Sequence, residues 1–265
     1  MGGPDEQSRV EWEARSRLFG ASLRGVLFKG LPDAVNEHLH NWHKHIILHS
    51  IRNKDELRIL DVGCGYGRLS SPIIERFPDT EILGIDMCEN YVKLFMDKTG
   101  RPALAERIEN IPDQLGVFDY IICVTVLMYL DHGALRRAIS NLLVHLKPDG
   151  TLVLIEPDSS GKPFQTGFGV LTFFINRIGR NATHTRGRYF RSGEIKKLFN
   201  HAGGKVLSEQ RLPFSSLFFL PIAFVGQFLS TGMSKKIFRI VSSFDRLLGG
   251  FKLPSIYVAY QISKK

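Results

Sequence analysis

With 265 residues, 43% of them apolar, the chain is large enough for one sizeable domain with appendages, or at most two, and it holds no repeat or low-complexity tract. Three cysteines without paired spacing (Cys64, Cys88 and Cys123) argue against a disulfide framework, and a mostly polar opening argues against a secretory leader, so a reduced, cytoplasmic setting is expected. The net charge of +9 is uneven: residues 161–265 carry 17 Lys and Arg against Glu194, Glu209 and Asp245 alone, whereas residues 1–160 carry 18 basic and 23 acidic side chains. In chain order, the segment NEHLHNWHKHIILHS (36–50) comes first and reads as an amphipathic helix. It bears His38, His40, His43, His45 and His49, with His38, Trp42, His45 and His49 on one expected face. No cysteine or carboxylate cluster completes a coordination set there, and no metal is expected.

A strand–helix rhythm follows. LRILDV (57–62) reads as a strand and RLSSPIIERF as a helix; EILGID (81–86) reads as a strand and ENYVKLFMDKT as a helix. ALAERI (103–108) is a weaker strand, and FDYIICVTV (118–126) a buried one. DHGALRRAISNLLVHL (131–146) has helical spacing and stops at the turn cluster 147–150, before the strand TLVLIE (151–156). RSGEIKKLFNHAG (191–203) predicts a helix capped by Ser192, and KVLSEQRL and SIYVAYQIS predict two closing strands. The pattern implies an α/β fold: a doubly wound, seven-stranded, mostly parallel sheet with helical insertions after strands five and six. Ligands of such sheets bind beyond the carboxyl ends of the strands, at the switch point.

The segment LRILDVGCGYGRLS (57–70) carries the chemistry. A dinucleotide fingerprint starting at Gly63 needs a small third residue where Arg68 stands, and no Lys-Ser or Lys-Thr pair completes a P-loop. What remains is an acid followed by alternate glycines: Asp61, Gly63, Gly65 and Gly67. This resembles the first motif of the class I S-adenosylmethionine (SAM)-dependent methyltransferases. Asp86 ends the second strand about twenty residues past the glycines, where an acid can take ribose hydroxyls. RIENIP (107–112), FDYIICVTVLMYLDH and LKPDGTLVLIEP resemble later motifs of that family in order. The resemblance covers roughly 55–157 and continues weakly through 191–211.

The resemblance implies SAM as cofactor, held by Asp61, Gly63, Cys64, Gly65, Arg68, Asp86, Met87, Ile108, Glu109 and Val124. It also implies a core over 55–211 and 255–265; the break in strand–helix rhythm adds a lid built from 157–190 and 212–254, and the helical pattern an N-terminal helical segment (1–54) covering the cofactor site. Plainer readings stand beside these: Gly67 as a helix starter, Asp86 as an N-cap, Cys64 as a small filler. The chain departs from the family pattern at Arg107, where an acid is usual, and at Met128-Tyr129, where many relatives carry two histidines. The general base is therefore open among Tyr129, His132, His184 and Tyr189, with Glu156, Asp158 and Arg186 also near the expected site. The segment Val124-Thr125-Val126-Leu127 lacks the Pro-Pro pair of amino-methylating relatives, and no Pro-Cys pair suits cytosine chemistry, so a small-molecule or lipid-linked acceptor is favoured over nucleic acid. SKKIFRIVSSFDRLLGG (234–250) sets Ile237, Val241, Phe244 and Leu248 on one helical face, with Lys235, Lys236, Arg239 and Arg246 for charge. A basic amphipathic helix beside the apolar stretch 212–230 fits either an anionic membrane surface, met peripherally, or the roof of a substrate pocket. The other reading of the whole chain is an RNA- or protein-directed methyltransferase, or a non-catalytic SAM-binding adaptor.

Overall fold

The computed structural model describes residues 4–29, 33–52, 56–161, 187–212, 215 and 231–265. Much of the two expected insertions, with His184 and Arg186, lies outside the described residues. Three helices come first: α1 (Pro4–Phe19), α2 (Leu23–Val26) and α3 (Asp33–Ser50). Then follow β1 (Arg58–Val62), α4 (Ser70–Arg76), β2 (Glu81–Asp86), α5 (Glu89–Thr99), β3 (Ala103–Ala105), β4 (Phe118–Val124), α6 (His132–Val144) and β5 (Leu146–Pro157). The chain closes with α7 (Glu194–His201), β6 (Gly204–Arg211), α8 (Thr231–Leu248) and β7 (Tyr257–Lys264).

The strands form one seven-stranded sheet in the order β3-β2-β1-β4-β5-β7-β6. β7 runs antiparallel between β5 and β6, and the other pairings are parallel. Strand alternation divides the core. Ile59, Ile122, Val153 and Ile155 pack with Leu39 and Ile47 of α3, Ile73 of α4 and Phe95 of α5. Leu60, Ile121, Leu152 and Leu154 pack on the opposite face with Leu135 and Ile139 of α6 and Phe199 of α7. β4 is buried along its whole length, as a central strand covered on both faces must be.

Three expectations are corrected. The third strand stops at Ala105 instead of running to 108: as an edge strand it pairs only with Gly84–Asp86, and the chain then turns at Ile108–Asn110. β5 begins at Leu146 instead of Thr151, but residues 147–150 have no pairing partner on β4: Phe118 faces Leu146 and Tyr120 faces Thr151, so the expected turn cluster stands as an irregularity within the strand. Ser192 does not cap α7. Gly193, at φ +78°, holds that place, and Ser192 Oγ accepts instead from Arg211 at 3.5 Å. In α3 the buried histidines are His38 and His43, while the rings of His45 and His49 lie tilted to each other at 3.9 Å. The inward face follows Val35, Leu39, Ile46 and Ile47; His43 falls on it, and Trp42 packs against the same cluster.

Candidate active site

β1 and β4 are neighbours at the centre of the sheet, and the helices that follow them, α4 and α6, pack on opposite faces. A crevice opens between the two carboxyl ends. The turn after β1 is built first by backbone: the N–H groups of Gly63 and Cys64 donate to Ile85 O at 2.7 and 3.0 Å, tying it to β2. Gly63 sits at φ +69°, and a methyl there would lie 2.4 Å from Val126 Cγ2. Only glycine lets this turn approach the one after β4. Gly67, at φ +76°, serves packing instead: a methyl would strike Thr99 Cγ2 at 2.5 Å, and the residue does not line the crevice.

Asp86 braces the same turn. Its carboxylate accepts from Gly65 N–H and Cys88 N–H, both at 2.9 Å. Cys88 itself occupies the N-cap place of α5. Asp61 accepts from Ser70 Oγ at 2.7 Å. Burial pushes both carboxyls up to about 6, against the hydrogen bonds that favour ionisation. Two carboxylates lining one cavity, Asp61 buried and Asp86 half-buried, favour a cationic ligand there. Arg68 lines the same cavity. Its guanidinium donates to His40 Nδ1 (3.1 Å) and His43 Nδ1 (3.3 Å), and burial lowers its pKa to about 10. Burial also brings His40 down to about 4 and His43 well below its ordinary value, so both serve as neutral acceptors. Arg68 makes no ion pair among the described residues, although the nearby Asp61 favours its charge, and it can meet an anion in the cavity.

Glu156, buried at the end of β5, accepts from the N–H groups of Val126, Leu127 and Met128 at 3.0, 2.7 and 3.3 Å. Burial pushes its carboxyl up to about 8, opposed by those three bonds. The clamp fixes the turn after β4, in which Thr125 stands in the left-handed region at φ +56°. Such a backbone costs a non-glycine residue about 1–3 kcal/mol and is held only by surrounding structure. From α1, Ser8 and Trp12 add to the wall, Trp12 edge-on to Tyr129 at 5.5 Å and tilted to Tyr91 at 6.4 Å.

All ten residues expected to hold the cofactor line this one cavity: Asp61, Gly63, Cys64, Gly65, Arg68, Asp86, Met87, Ile108, Glu109 and Val124. Tyr129 joins them, its phenol pushed up to about 12 by burial. Cys64 is buried and burial raises its thiol well above the ordinary value, the condition of an inert filler. Glu109 is engaged by Arg107, whose Nε lies 2.6 Å from Oε1. His132 and Tyr189 lie elsewhere, in an adjoining open basin with Arg188, Ser192 and Lys197; Leu130 borders both cavities. Trp12, Tyr91, Thr125 and Val126 were not expected. Tyr91 and Thr125 flank motif segments, but Trp12 reaches the site only through the docking of α1. Among the described residues, no group of three or more His, Cys, Asp or Glu side chains is arranged to hold a metal ion.

A family profile described as "Methyltransferase domain" matches residues 35–209. The ubiquinone biosynthesis O-methyltransferase of Rickettsia prowazekii (strain Madrid E) is 25% identical over 166 residues, covering 60% of this chain and 63% of that one. The malonyl-acyl-carrier-protein O-methyltransferase of Geobacter sulfurreducens is 28% identical over 152 residues, 55% of each chain. The chain thus spans between half and two thirds of the length of these relatives. Among solved structures, magnesium protoporphyrin IX methyltransferase from Synechocystis PCC 6803, with bound SAH, superposes with a TM-score of 0.62 at 15% identity, over 99% of this chain and 100% of that one. That likeness speaks to the fold.

Proposed function

This chain belongs to the methyltransferase-domain family, and from that premise we propose that it binds SAM in the crevice and methylates a small acceptor. One observation carries the reading: two carboxylates, the buried Asp61 and the half-buried Asp86, and a buried cation that makes no ion pair among the described residues, Arg68, line one cavity beneath the Gly63 turn. That donor set suits an amino-acid sulfonium nucleoside. Asp86 takes the ribose hydroxyls, Asp61 faces the ammonium and Arg68 the carboxylate, while Ile108 and Glu109 flank the adenine. Bound there, SAM supplies a methyl group on a cationic sulfur.

The chain's own task is to align the acceptor and exclude water. Trp12, Tyr129 and Leu130 give the cavity an aromatic and apolar rim suited to a small apolar acceptor. A phenol that stays protonated to about 12 donates a hydrogen bond at neutral pH instead of accepting a proton, so Tyr129 orients the acceptor. His132 and Tyr189 meet the part of the acceptor that extends past Leu130, and His184 stands as a further candidate base. Transfer to oxygen is favoured by the names of the two relatives, with carbon next. The finer reading is an acceptor that is apolar or lipid-linked and reached at a membrane surface by a peripherally bound, cytoplasmic protein. It draws on the apolar rim and the basic C-terminal third. Incubation with methyl-labelled SAM and either a lipid extract or an RNA pool tests it: label is expected in the lipid fraction. Label in RNA or protein would favour the macromolecular alternative, and SAM binding with no transfer an adaptor role.

A further inference from the structure

The open basin beside the crevice shares Leu130 with it. One wall is fixed to the turn that also lines the crevice. Arg188 N–H donates to Met128 O at 2.7 Å and Phe190 N–H to Pro157 O at 3.0 Å. These bonds stitch residues 188–190 to the turn after β4 and to the end of β5. The start of α6 and the first residues of α7 supply the rest of the lining. The acids of the basin are answered within the chain. Glu194 Oε1 accepts from Arg188, and its Oε2 accepts from Arg191 N–H at 2.8 Å. Asp131 Oδ1 accepts from Ala134 N–H at 2.8 Å as the N-cap of α6. Two cations are not answered. The exposed side chains of Arg191 and Lys197 line the basin and make no hydrogen bond or ion pair among the described residues. Ser192 stands beside them, and its Oγ accepts from Arg211 at 3.5 Å, which leaves its own hydrogen to donate. The Tyr189 hydroxyl is a further donor in the same lining.

Unanswered positive charge beside hydroxyl donors fits an oxyanion. Arginine offers a planar fork and lysine a point charge. A phosphate, with more acceptor oxygens and more charge than a carboxylate, takes both of them and a hydroxyl as well. We infer that the basin holds a phosphate group of the methyl acceptor on Arg191, Lys197 and Ser192, while the apolar end of the same molecule passes Leu130 to the methyl donor. The acceptor is then amphipathic: apolar where it is methylated and phosphorylated where it is held. Holding the phosphate at one fixed place limits how far the other end can wander, which is the alignment that methyl transfer requires. A phospholipid and a water-soluble phosphate ester both carry this chemistry. The inference rests on the methyl-transfer reading above and narrows its acceptor.

Calorimetry of the full chain, loaded with SAM, against inorganic pyrophosphate tests the basin directly. Saturable binding is expected, and it should weaken as salt rises. Arg191→Ser with Lys197→Ser should lower that affinity at least about tenfold. Lys196→Ser with Arg136→Ser removes the same charge from exposed positions outside the basin and should change it less than about twofold. SAM affinity and the melting temperature should be the same in both variants as in the parent, since none of these side chains lines the crevice or the core. No saturable binding, no loss in the basin variant, or an equal loss in the control would overturn the inference while leaving SAM binding to stand. A parent chain that binds pyrophosphate but not SAM would overturn the cofactor reading instead. The source of the phosphate is read from methyl-labelled SAM offered with a lipid extract and with an aqueous extract. The labelled product should be retained on an anion exchanger and contain phosphorus by mass spectrometry. A product in the lipid phase assigns a phospholipid, and one in the aqueous phase a soluble ester. A labelled product without phosphorus would sink the inference and keep the transferase.

Discussion

At the residue scale, Asp86 is both the expected ribose ligand and the brace of the glycine turn. Asp86→Ala therefore removes hydrogen bonds to ligand and to Gly65 and Cys88 together. SAM affinity should fall about ten- to a hundredfold, with a loss of about 1–3 kcal/mol in stability, as read by calorimetry and thermal melts. The pH dependence has a definite sign. Burial raises the folded-state pKa of Asp61 and Asp86 to about 6, above the unfolded value. The free protein therefore holds protons that the unfolded chain has lost, and these two groups make its stability decline as pH rises from about 4 to about 6. A cationic ligand prefers the ionised carboxylates, so the rise in melting temperature on adding SAM should grow between about pH 5 and about pH 7. A SAM effect that is flat across that window would sink the paired-carboxylate account. These residues were legible because each stands at a strand end, where the topology decides its position. Arg68 was legible as a ligand, but the two neutral histidines that hold it were not. Their role needs α3 to be docked, and a helical pattern alone does not say which face turns inward.

At the element scale, the turn after β4 depends on β5. Glu156 collects three successive N–H groups from residues 126–128, and the turn it fixes carries Thr125, Val126 and Tyr129 into the crevice. Glu156→Ala would leave those donors buried and unanswered, at a cost of about 2–4 kcal/mol. Both the melting temperature and any transfer activity should fall. Glu156→Gln keeps one acceptor oxygen and should lose less. If both variants melt like the parent, the clamp is not what holds the turn. Gly63→Ala tests the facing turn: with a methyl 2.4 Å from Val126 and a left-handed φ, it should weaken SAM binding more than Gly67→Ala, which faces α5. Element types were readable from period and turn chemistry, but three boundaries were not. Tertiary surroundings set them: an edge position shortened β3, the pairing of Leu146 with Phe118 beyond the unpaired 147–150 lengthened β5, and a left-handed Gly193 moved the start of α7.

At the scale of the whole molecule, α1 stands apart from the two large apolar clusters that flank the sheet, neither of which contains a residue from it. Polar bonds tie it to α2 and α5. Glu13 Oε1 accepts from Glu89 N–H at 2.8 Å, Ser16 Oγ lies 3.0 Å from Asn90 Nδ2, and Arg15 reaches Arg24 O at 3.0 Å across α2. Trp12 meanwhile faces Tyr129 and Tyr91 across the cavity mouth. The doubly wound core was foreseeable because alternating strands and helices admit few arrangements. The placement of α1 was not, since it follows from tertiary contacts some seventy residues away in sequence. If α1 covers the bound cofactor, its removal should separate binding from folding. A chain lacking residues 1–19 should keep its melting temperature within a few degrees, because the sheet and its two large clusters are untouched. It should bind SAM about ten- to a hundredfold more weakly, having lost the aromatic wall at Trp12. Trp12→Ala should reproduce part of that loss in the full chain. Hydrogen exchange should show the amides of α1 gaining protection when SAM is added, and more than those of α6 on the opposite face. A truncated chain that binds SAM as the parent does would remove α1 from the site, and one that fails to fold would place it in the core.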